Sequence, residues 1–270
     1  MLYSPLFWGI IMKYMGSKSR IAKHIIPIVT KHRSDNQYYS EPFVGGCNMI
    51  DKITGNRGAS DTNPYLISMW VGLSNGWMPP EEISRDLYNK CRDVYNKLKF
   101  NTSKLTKEQS ALIGYVGFNG SYGGRFYDGG YAGITKTKQG KERNYPKEAY
   151  SNVMKQIETI KGVEFLCANY KDLNHPSNSI IYCDPPYNGT KEYKSAIESG
   201  FNSGEFWEWC RNQTNLGHTV FISEYSAPED FICIWSQVVK SSLSANGLIG
   251  GSKTSVEKLF IHKSLAHLYN

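Results

Sequence analysis

The sequence Ile180-Ile181-Tyr182-Cys183-Asp184-Pro185-Pro186-Tyr187 is the most informative stretch of the chain, because an apolar run stops abruptly at an acidic residue and two prolines. Proline donates no backbone hydrogen bond and does not continue a central strand, so the strand has to end where the prolines begin. A continuous apolar strand is typical of a parallel sheet that is covered on both faces. The run therefore predicts a covered strand that ends in a rigid, acidic turn.

Strand and helix patterns alternate along the rest of the chain. Helical spacing of apolar residues occurs at 17–33, 48–53, 64–73 and 203–215. Strand patterns occur at 37–43, 58–61, 163–167, 179–183, 218–223, 232–239 and 256–262. Such an alternation predicts an α/β fold, with a mostly parallel sheet and helices on both of its faces.

Residues 76–146 have a different pattern. Two helices are predicted, one from residue 79 to about residue 100 and one over 106–116, and a loop rich in glycine and aromatic residues follows them. No strand is expected in this region. We therefore predict a small, mainly helical inserted domain at 76–146, a discontinuous catalytic domain made of 12–75 and 147–270, and an N-terminal extension at 1–11.

The composition is that of an ordinary globular protein with a basic surplus. Apolar residues make up 40% of the chain and charged residues 20%, and the formal net charge is +7. This surplus suits a polyanionic partner such as nucleic acid. The six cysteines are scattered without a CxxC pair, so we expect them to be reduced and buried, with no structural zinc and no disulfides. No apolar run is long enough to span a membrane, and we expect a cytoplasmic protein.

The residues that end the 180–183 strand suit the methylation of an aromatic amine. The exocyclic amine of adenine is a poor nucleophile because its lone pair is delocalised into the ring, so a catalyst must accept both amino hydrogens. Asp184 and the carbonyl of Pro185 supply two acceptors, and the consecutive prolines hold that backbone stiff. Tyr187 can stack on a base that is turned out of the duplex. We predict Asp184, Pro185, Pro186 and Tyr187 as the catalytic residues.

This tetrapeptide resembles the catalytic motif of the Dam-type DNA N6-adenine methyltransferases of phages and bacteria. Three more segments occur in the order of that family: Tyr14-Met15-Gly16-Ser17-Lys18, Glu41-Pro42-Phe43-Val44-Gly45-Gly46 and Ser60-Asp61-Thr62-Asn63. The resemblance spans roughly residues 12–262. It implies a Rossmann-like S-adenosylmethionine-dependent methyltransferase in a bacterial cell or phage-infected host. The reaction it implies is methyl transfer to N6 of a flipped-out adenine in double-stranded DNA, with no obligatory protein partner.

The same resemblance assigns the residues that hold S-adenosylmethionine, which leaves as S-adenosylhomocysteine, without a metal ion. Glycines let a ligand approach the backbone closely, and an acidic residue after a strand can accept the ribose hydroxyls. Asn169 stands where the family often has an acidic residue, so an amide replaces a carboxylate there. The expected cofactor contacts are Tyr14, Lys18, Glu41, Phe43, Gly45, Gly46, Asp61, Asn169, Tyr170 and Asp184.

The glycine-rich loop from Asn119 to Tyr127 matches, by resemblance, the target-recognition hairpin of the family. Glycines permit a tight loop to enter a groove, and Arg125 can donate two hydrogen bonds to a guanine edge. Basic residues after the loop can contact phosphates. The expected DNA contacts are Ser121, Tyr122, Arg125, Lys136, Lys138 and Lys253.

Other functions stay open at this point. The first alternative is an amino methyltransferase that acts on cytosine N4, on RNA or on a protein glutamine, and Asp184 favours adenine over these. The second is a catalytically inactive DNA-binding relative, which the intact residues 184–187 together with Asp61 argue against. The third is a dehydrogenase on a related sheet, which the missing glycine fingerprint disfavours.

Overall fold

The computed structural model describes residues 11–136, 139–187, 201–240 and 254–269. Its contacts divide the chain into two units. The first unit contains the residues up to Lys23 together with Val44–Thr54 and Ala59–Ala168. The second unit contains His24–Phe43, Gly55–Gly58 and the residues from Asn169 onward. The predicted insert at 76–146 stays a prediction, and residues 1–10 lie outside the described residues.

The elements follow one another in an α/β order. The helices are α1 (Ala22–Val29), α2 (Pro64–Ser74), α3 (Arg85–Leu98), α4 (Lys107–Asn119), α5 (Tyr145–Ile160), α6 (Ser203–Asn215) and α7 (Lys263–Ala266). The strands are β1 (Tyr39–Glu41), β2 (Arg57–Asp61), β3 (Ile134–Lys136), β4 (Glu142–Asn144), β5 (Glu164–Cys167), β6 (Ile180–Cys183), β7 (Thr219–Glu224), β8 (Phe231–Lys240) and β9 (Thr254–His262). Short 3₁₀ turns lie at Ile50–Lys52, Tyr122–Gly124 and Tyr170–Asp172.

The second unit is built on a sheet in which β1, β6, β7, β9 and β8 lie side by side in that order. The strand pairs β1–β6 and β6–β7 are parallel, and β9 runs antiparallel to β7 and to β8. All four residues of β6 are buried, as the continuous apolar run predicts for a central strand. The predicted α/β fold with a mostly parallel sheet is confirmed.

Alternation along β6 places its residues on opposite faces of that sheet. Ile181 and Cys183 belong to the buried cluster that Phe206, Trp209 and other residues of α6 complete. Burial of a large apolar side chain of this kind contributes about 1.5–3 kcal/mol, so the strand is held firmly against the helix. The turn that follows β6 therefore starts from a fixed point.

The first unit holds the end of β2 beside β5, where the Ala168 amide donates to the Asp61 carbonyl at 3.2 Å. Helix α2 begins after Asn63, whose side chain accepts from the amides of Tyr65 and Leu66. Helix α4 packs closely on α2, since a Cβ added to Gly114 would lie 2.1 Å from the Tyr65 carbonyl oxygen.

The structure corrects three expectations. The expectation that 76–146 holds no strand is wrong, because β3 pairs with β4 in an antiparallel hairpin. Its strands are three residues long and mostly polar, so no apolar pattern marked them. Helix α5 was not predicted, although Ala149, Val153, Ile157 and Ile160 recur at helical spacing along it.

The cysteines supply the third correction. All six are free, as expected, but Cys167 and Cys233 are exposed rather than buried. Cys167 lies in β5, none of whose four residues is buried, and Cys233 lies in β8, where Phe231 is the buried residue among the described side chains. Apolar character in the sequence therefore did not distinguish exposed strands from buried ones.

Candidate active site

The predicted catalytic motif, Asp184 to Tyr187, lies at the carboxyl edge of the parallel strands of the second unit. Because β1, β6 and β7 run in the same direction, the residues at their carboxyl ends share one edge of the sheet. Those residues include Glu41 at the end of β1, Asp184 after β6 and Tyr225 after β7. Asp184 is half-buried and Pro185 is buried. Ligands of open α/β sheets bind at this edge, which is where the sequence predicted the chemistry.

Tyr187 has a fixed orientation at this edge. Its hydroxyl donates to Oε2 of Glu257 at 3.1 Å, and its ring meets the Tyr225 ring nearly edge-on, with 4.6 Å between centroids. Burial, and then the nearby carboxylates of Asp184 and Glu257, raise the pKa of Tyr187 well above its ordinary value. The hydroxyl therefore keeps its proton and acts as a donor.

Buried polar groups support the strand ends from within the sheet. The Tyr39 hydroxyl donates to Oε1 of Glu41 at 2.8 Å, and the hydroxyls of Tyr182 and Ser223 lie 2.7 Å apart. Glu41 is only 3% exposed. Burial raises the pKa of Tyr182 well above its ordinary value, and the carboxylates of Asp184 and Glu41 add to that shift. Both acidic side chains thus lie near the same phenol.

Phe43 and Tyr170 form an aromatic surface in the second unit, with ring centroids 5.3 Å apart. The Tyr170 hydroxyl is buried without a hydrogen-bond partner among the described residues, and burial raises its pKa to about 12. Asn169 precedes it, and its side-chain oxygen accepts from the Lys171 amide at 3.1 Å. That oxygen caps a turn, so the amide NH₂ is the group that Asn169 can offer to a ligand.

The glycine loop of the first unit requires glycine for two reasons. Gly45 has a φ of +47°, and a Cβ there would lie 2.6 Å from Cε1 of the Tyr14 ring. Its amide donates to Oδ2 of Asp61 at 3.3 Å, and its carbonyl accepts from the Trp70 indole at 3.0 Å. Gly46 is equally close to Tyr14, with 2.7 Å from an added Cβ to the Tyr14 Cβ. The structure thus brings together four of the predicted cofactor residues.

Asp61 is held by backbone amides at the end of β2. Its Oδ1 accepts from the Asn63 amide at 3.0 Å, in addition to the bond from Gly45. Burial raises the pKa of Asp61, and the amides of Asn63, Gly45 and Thr62 oppose that shift. The carboxylate is half-buried, and each of its oxygens retains a lone pair for a further donor such as a ribose hydroxyl.

Lys18 and Gln156 complete this part of the first unit. Lys18 is 8% exposed, and its ammonium donates to the Gly16 carbonyl at 3.4 Å. Gln156 was missed by the sequence analysis because its helix, α5, was missed. Its side-chain NH₂ donates to the carbonyls of Gly46 and Cys47 at 3.0 and 3.3 Å, and its oxygen accepts from the Met12 amide at 3.0 Å. Gln156 therefore supports both the glycine loop and the segment that leads to Tyr14.

The predicted recognition loop packs on that N-terminal segment. A Cβ added to Gly124 would lie 2.2 Å from the Lys13 carbonyl oxygen, and Nε of Arg125 lies 3.1 Å from Sδ of Met15. Tyr122 is 40% exposed, whereas Ser121 is 4% exposed and its hydroxyl lies 3.1 Å from that of Tyr88. Ser121 thus supports the loop from inside. The predicted Lys136 is exposed on β3, and Lys138 and Lys253 lie outside the described residues.

A second feature of this region was also missed. Glu148 accepts two hydrogen bonds from Arg143, at 2.7 and 2.8 Å, and one from Lys13 at 3.3 Å. Both cations lie over the Tyr145 ring, at 4.6 Å for Lys13 and 4.4 Å for Arg143. One carboxylate and one ring thereby hold two cations beside the loop.

Within residues 11–136, 139–187, 201–240 and 254–269, no helix is long and apolar enough to cross a membrane. The same residues contain no group of three or more His, Cys, Asp and Glu side chains that could hold a metal ion.

Comparison with known proteins identifies the family. Residues 14–208 match the model of the D12 class N6 adenine-specific DNA methyltransferases. The chain is 24% identical over 213 residues to proteins named DNA adenine methylase from two strains of Vibrio cholerae serotype O1, covering 70% of this chain and 70% of each relative. A crystal structure of SMU.472 complexed with SAH is similar over 94% of this chain, with a TM-score of 0.37 and 12% identity. This chain covers 54% of the length of that one.

The family match extends from the Tyr14 segment through the glycine loop, Asp61 and the Asp184-Pro185-Pro186-Tyr187 motif. The predicted family, enzyme class and adenine specificity are confirmed, and the cytosine, RNA, glutamine and dehydrogenase alternatives are set aside. The chain belongs to the D12 class of N6 adenine-specific DNA methyltransferases.

Proposed function

We propose that the chain transfers the methyl group of S-adenosylmethionine to N6 of an adenine turned out of double-stranded DNA, and that Asp184 to Tyr187 carry the reaction. One observation supports this most strongly. The motif follows a fully buried strand, at the edge where Glu41 and Tyr225 also lie, and Tyr187 is fixed there by Glu257. A site held this firmly is suited to a reaction that depends on orientation.

The side chains of the second unit prepare the amine. The carboxylate of Asp184 accepts one amino hydrogen and the Pro185 carbonyl accepts the other, which frees the nitrogen lone pair from the ring. When bound, S-adenosylmethionine supplies an electrophilic methyl group on a sulfonium. As the bond between this nitrogen and the methyl carbon forms, the methyl–sulfur bond would break and S-adenosylhomocysteine would leave. The Asp184 carboxylate stabilises the positive charge that the amine gains, and the amine then releases one proton to solvent to give N6-methyladenine. Tyr187 stacks on the extruded base and keeps its amine beside Asp184.

The predicted cofactor residues have the chemistry to bind parts of the methyl donor. In the first unit, Tyr14 packs against Gly45 and Gly46, which are buried, and Asp61 offers acceptors for the ribose hydroxyls. The Lys18 ammonium suits the carboxylate of the methyl donor. In the second unit, Glu41 suits the ammonium group, and Phe43, Asn169 and Tyr170 suit the adenine ring.

The recognition loop is the proposed reader of DNA sequence. Arg125 is the candidate for contact with a guanine edge, Tyr122 for insertion into the base stack, and Ser121 for support of both. Lys136 is the candidate for a phosphate contact, as are Lys138 and Lys253 outside the described residues. The proposed place of action is the cytoplasm, where cellular DNA is accessible.

Replacement of Asp184 tests the proposal. Incubation with tritiated S-adenosylmethionine and DNA, followed by sequencing for modified bases, should detect N6-methyladenine with the unchanged chain. Asp184→Ala and Asp184→Asn should each lower the rate of methyl incorporation at least about 100-fold, because the developing charge loses its carboxylate. Glu229→Gln removes an exposed carboxylate of the same unit and should leave the rate unchanged. Intact incorporation in the Asp184 variants would overturn the assignment.

A further inference from the structure

Helix α3 carries a basic pattern that the active site does not use. Arg85, Arg92 and Lys99 are seven residues apart, and Tyr88 and Tyr95 stand three residues after the two arginines. Seven residues make close to two helical turns, so Arg85 and Arg92 share one side of the helix. Lys99 caps the C-terminus of the helix, and its ammonium lies over Tyr95 of the same helix. Along the chain, Tyr88 lies between Arg85 and Arg92, and Tyr95 lies between Arg92 and Lys99. We call Arg85, Arg92 and Lys99 the α3 cation row.

Each member of the α3 cation row is held over a tyrosine ring. The Arg85 guanidinium lies 4.7 Å from the centroid of Tyr131, the Arg92 guanidinium 5.7 Å from Tyr88, and the Lys99 ammonium 5.4 Å from Tyr95. Such cation–π contacts position a charge without neutralising it. The row is thus a set of positioned, unneutralised charges.

The acidic residues of α3 do not neutralise the row. Asp86 and Asp93 each follow an arginine of the row, which turns them about 100° away around the helix. Asp86 pairs with Lys90 at 2.8 Å. Within the part of the chain that the structure describes, Arg85, Arg92 and Lys99 form no ion pair with any carboxylate. Arg85 and Lys99 are exposed, and Arg92 is half-buried.

The tyrosines under the row connect it to the recognition loop. The ring centroid of Tyr88 lies 5.4 Å from those of Tyr127 and Tyr131. Its hydroxyl lies 3.1 Å from that of Ser121. The Tyr131 hydroxyl donates to the Ile83 carbonyl at 2.6 Å, just before α3 begins. The loop and the α3 cation row therefore form one packed body inside the first unit.

We propose that the α3 cation row is a phosphate-binding surface for duplex DNA outside the bases that the recognition loop reads. This inference rests on the proposed function, since the loop and the row would engage the same duplex. Successive cations are about 10.5 Å apart along the helix, and the whole row spans about 21 Å at 1.5 Å per residue. Phosphates recur every 3.4 Å along one strand of the duplex, so the row can serve about three phosphates over about six base pairs.

The test is the salt dependence of DNA binding by a triple variant, Arg85→Gln/Arg92→Gln/Lys99→Gln. Each phosphate contact contributes about 0.9 to the slope of log K against log salt, so three contacts contribute about 2.7. On a duplex with long flanks, the unchanged chain should lose about 40-fold more affinity than the variant between 50 and 200 mM salt. On a duplex trimmed to the methylation site, the two proteins should have equal slopes.

Two further proteins separate charge from structure. The triple variant Lys90→Gln/Lys97→Gln/Lys104→Gln removes the same charge from exposed positions off the row and should keep the slope of the unchanged chain. The variant Arg85→Lys/Arg92→Lys keeps both positive charges and should also keep the salt slope of the unchanged chain. Melting temperatures measured for all four proteins check that each is folded.

The outcomes distinguish this inference from the proposed function. The phosphate surface is overturned if the row variant keeps the salt slope of the unchanged chain on long duplexes, or if the off-row control loses as much slope as the row variant. Either result leaves the proposed function intact as long as the unchanged chain methylates adenine. Failure of the unchanged chain to methylate adenine overturns the proposed function itself. A loss of slope confined to the row variant and to long flanks supports the inference.

Discussion

The hydroxyl of Tyr187 donates a hydrogen bond to Oε2 of Glu257 at 3.1 Å, which ties the last residue of the proposed catalytic motif to strand β9. The two residues are 70 positions apart in the chain. The bond sets the plane of the Tyr187 ring, and the edge-on contact with Tyr225 supports it from the neighbouring strand β7. A stacking ring that is already oriented costs less entropy when the base arrives.

Substitution of Tyr187 should separate the ring from its hydroxyl. Tyr187→Phe keeps the ring and loses one hydrogen bond, so the unfolding free energy should fall by about 1 kcal/mol with little change in kcat/KM. Tyr187→Ala loses the stacking surface, worth about 1–3 kcal/mol per base, and kcat/KM for DNA should fall about 5- to 150-fold. Equal kinetic losses in the two variants would show that the ring does not act by stacking.

Substitution of Gly45 should disturb the glycine loop through Tyr14. Gly45→Ala places a Cβ 2.6 Å from the Tyr14 ring at a φ of +47°, so the melting temperature should fall and stabilisation by S-adenosylmethionine should disappear. The positive φ alone costs about 1–2 kcal/mol. Gly162→Ala is the matched control, because Gly162 has a φ of +76° and no atom within 4 Å of an added Cβ.

A second substitution completes that experiment. Tyr14→Ala in the Gly45→Ala chain removes the ring that the new methyl group meets, so part of the lost melting temperature should return. Cofactor binding should not return, because the aromatic contact has gone. If Gly162→Ala destabilises the chain as much as Gly45→Ala does, the close approach of Tyr14 has no energetic consequence.

Arg125 should determine one position of the methylated site. Arg125→Ala should relax the preference for one base by about 1–3 kcal/mol, read by sequencing modified bases in DNA from cells that express the variant. Lys136→Ala should instead weaken binding at all sites alike and lower the salt slope by about 1, since a phosphate contact carries no sequence information. An unchanged site preference in Arg125→Ala would remove its role in recognition.

The stability of the chain should fall on the acid side because of two histidines in the second unit. Burial, and then the neighbouring His218, lower the pKa of His175 from 6.5 to about 4, and burial also lowers the pKa of His218. His218 must stay unprotonated at Nδ1, which accepts from the Ser179 amide at 3.1 Å just before β6. Because these pKa values are lower in the folded chain, the stabilisation is complete above pH 6.5 and is lost as the pH falls toward 4.

Melting temperatures measured from pH 7.5 down to pH 4.5 test this expectation. His175→Phe keeps a ring beside Trp209 but removes one titrating group, so the acid-side fall in melting temperature should be smaller. His267→Phe replaces an exposed histidine and should leave the fall as it is. The same acid-side fall in His175→Phe and in the unchanged chain would exclude the contribution of His175.

Local sequence patterns predicted well the helix and the strand that hold the motif. Helix α6 coincides with the predicted residues 203–215, because Asn202 caps its first turn and the apolar spacing runs to its end. Strand β6 begins one residue later than predicted and ends, as expected, before Asp184. The hairpin of β3 and β4 was missed because its strands are stabilised by each other and not by a buried face.

The support of the glycine loop could not be predicted in the same way. Gln156 lies 110 positions from the carbonyl of Gly46 that it binds, and Trp70 lies 25 positions from the Gly45 carbonyl. An isolated glutamine on a helix is usually a surface residue, so only its burial inside the first unit identifies it as a partner of the loop.

Local sequence was sufficient to establish the order of the strands and helices around the motif, the rigid acidic turn after β6 and the family to which these residues point. Those features depend on apolar periodicity and on the covalent restraint of proline, which act over a few neighbouring residues. Tertiary packing was needed to bring Glu257 to Tyr187, Gln156 to the glycine loop and Tyr131 to Arg85 of α3. Each of these contacts joins residues that are far apart in the sequence and become neighbours only when the chain packs.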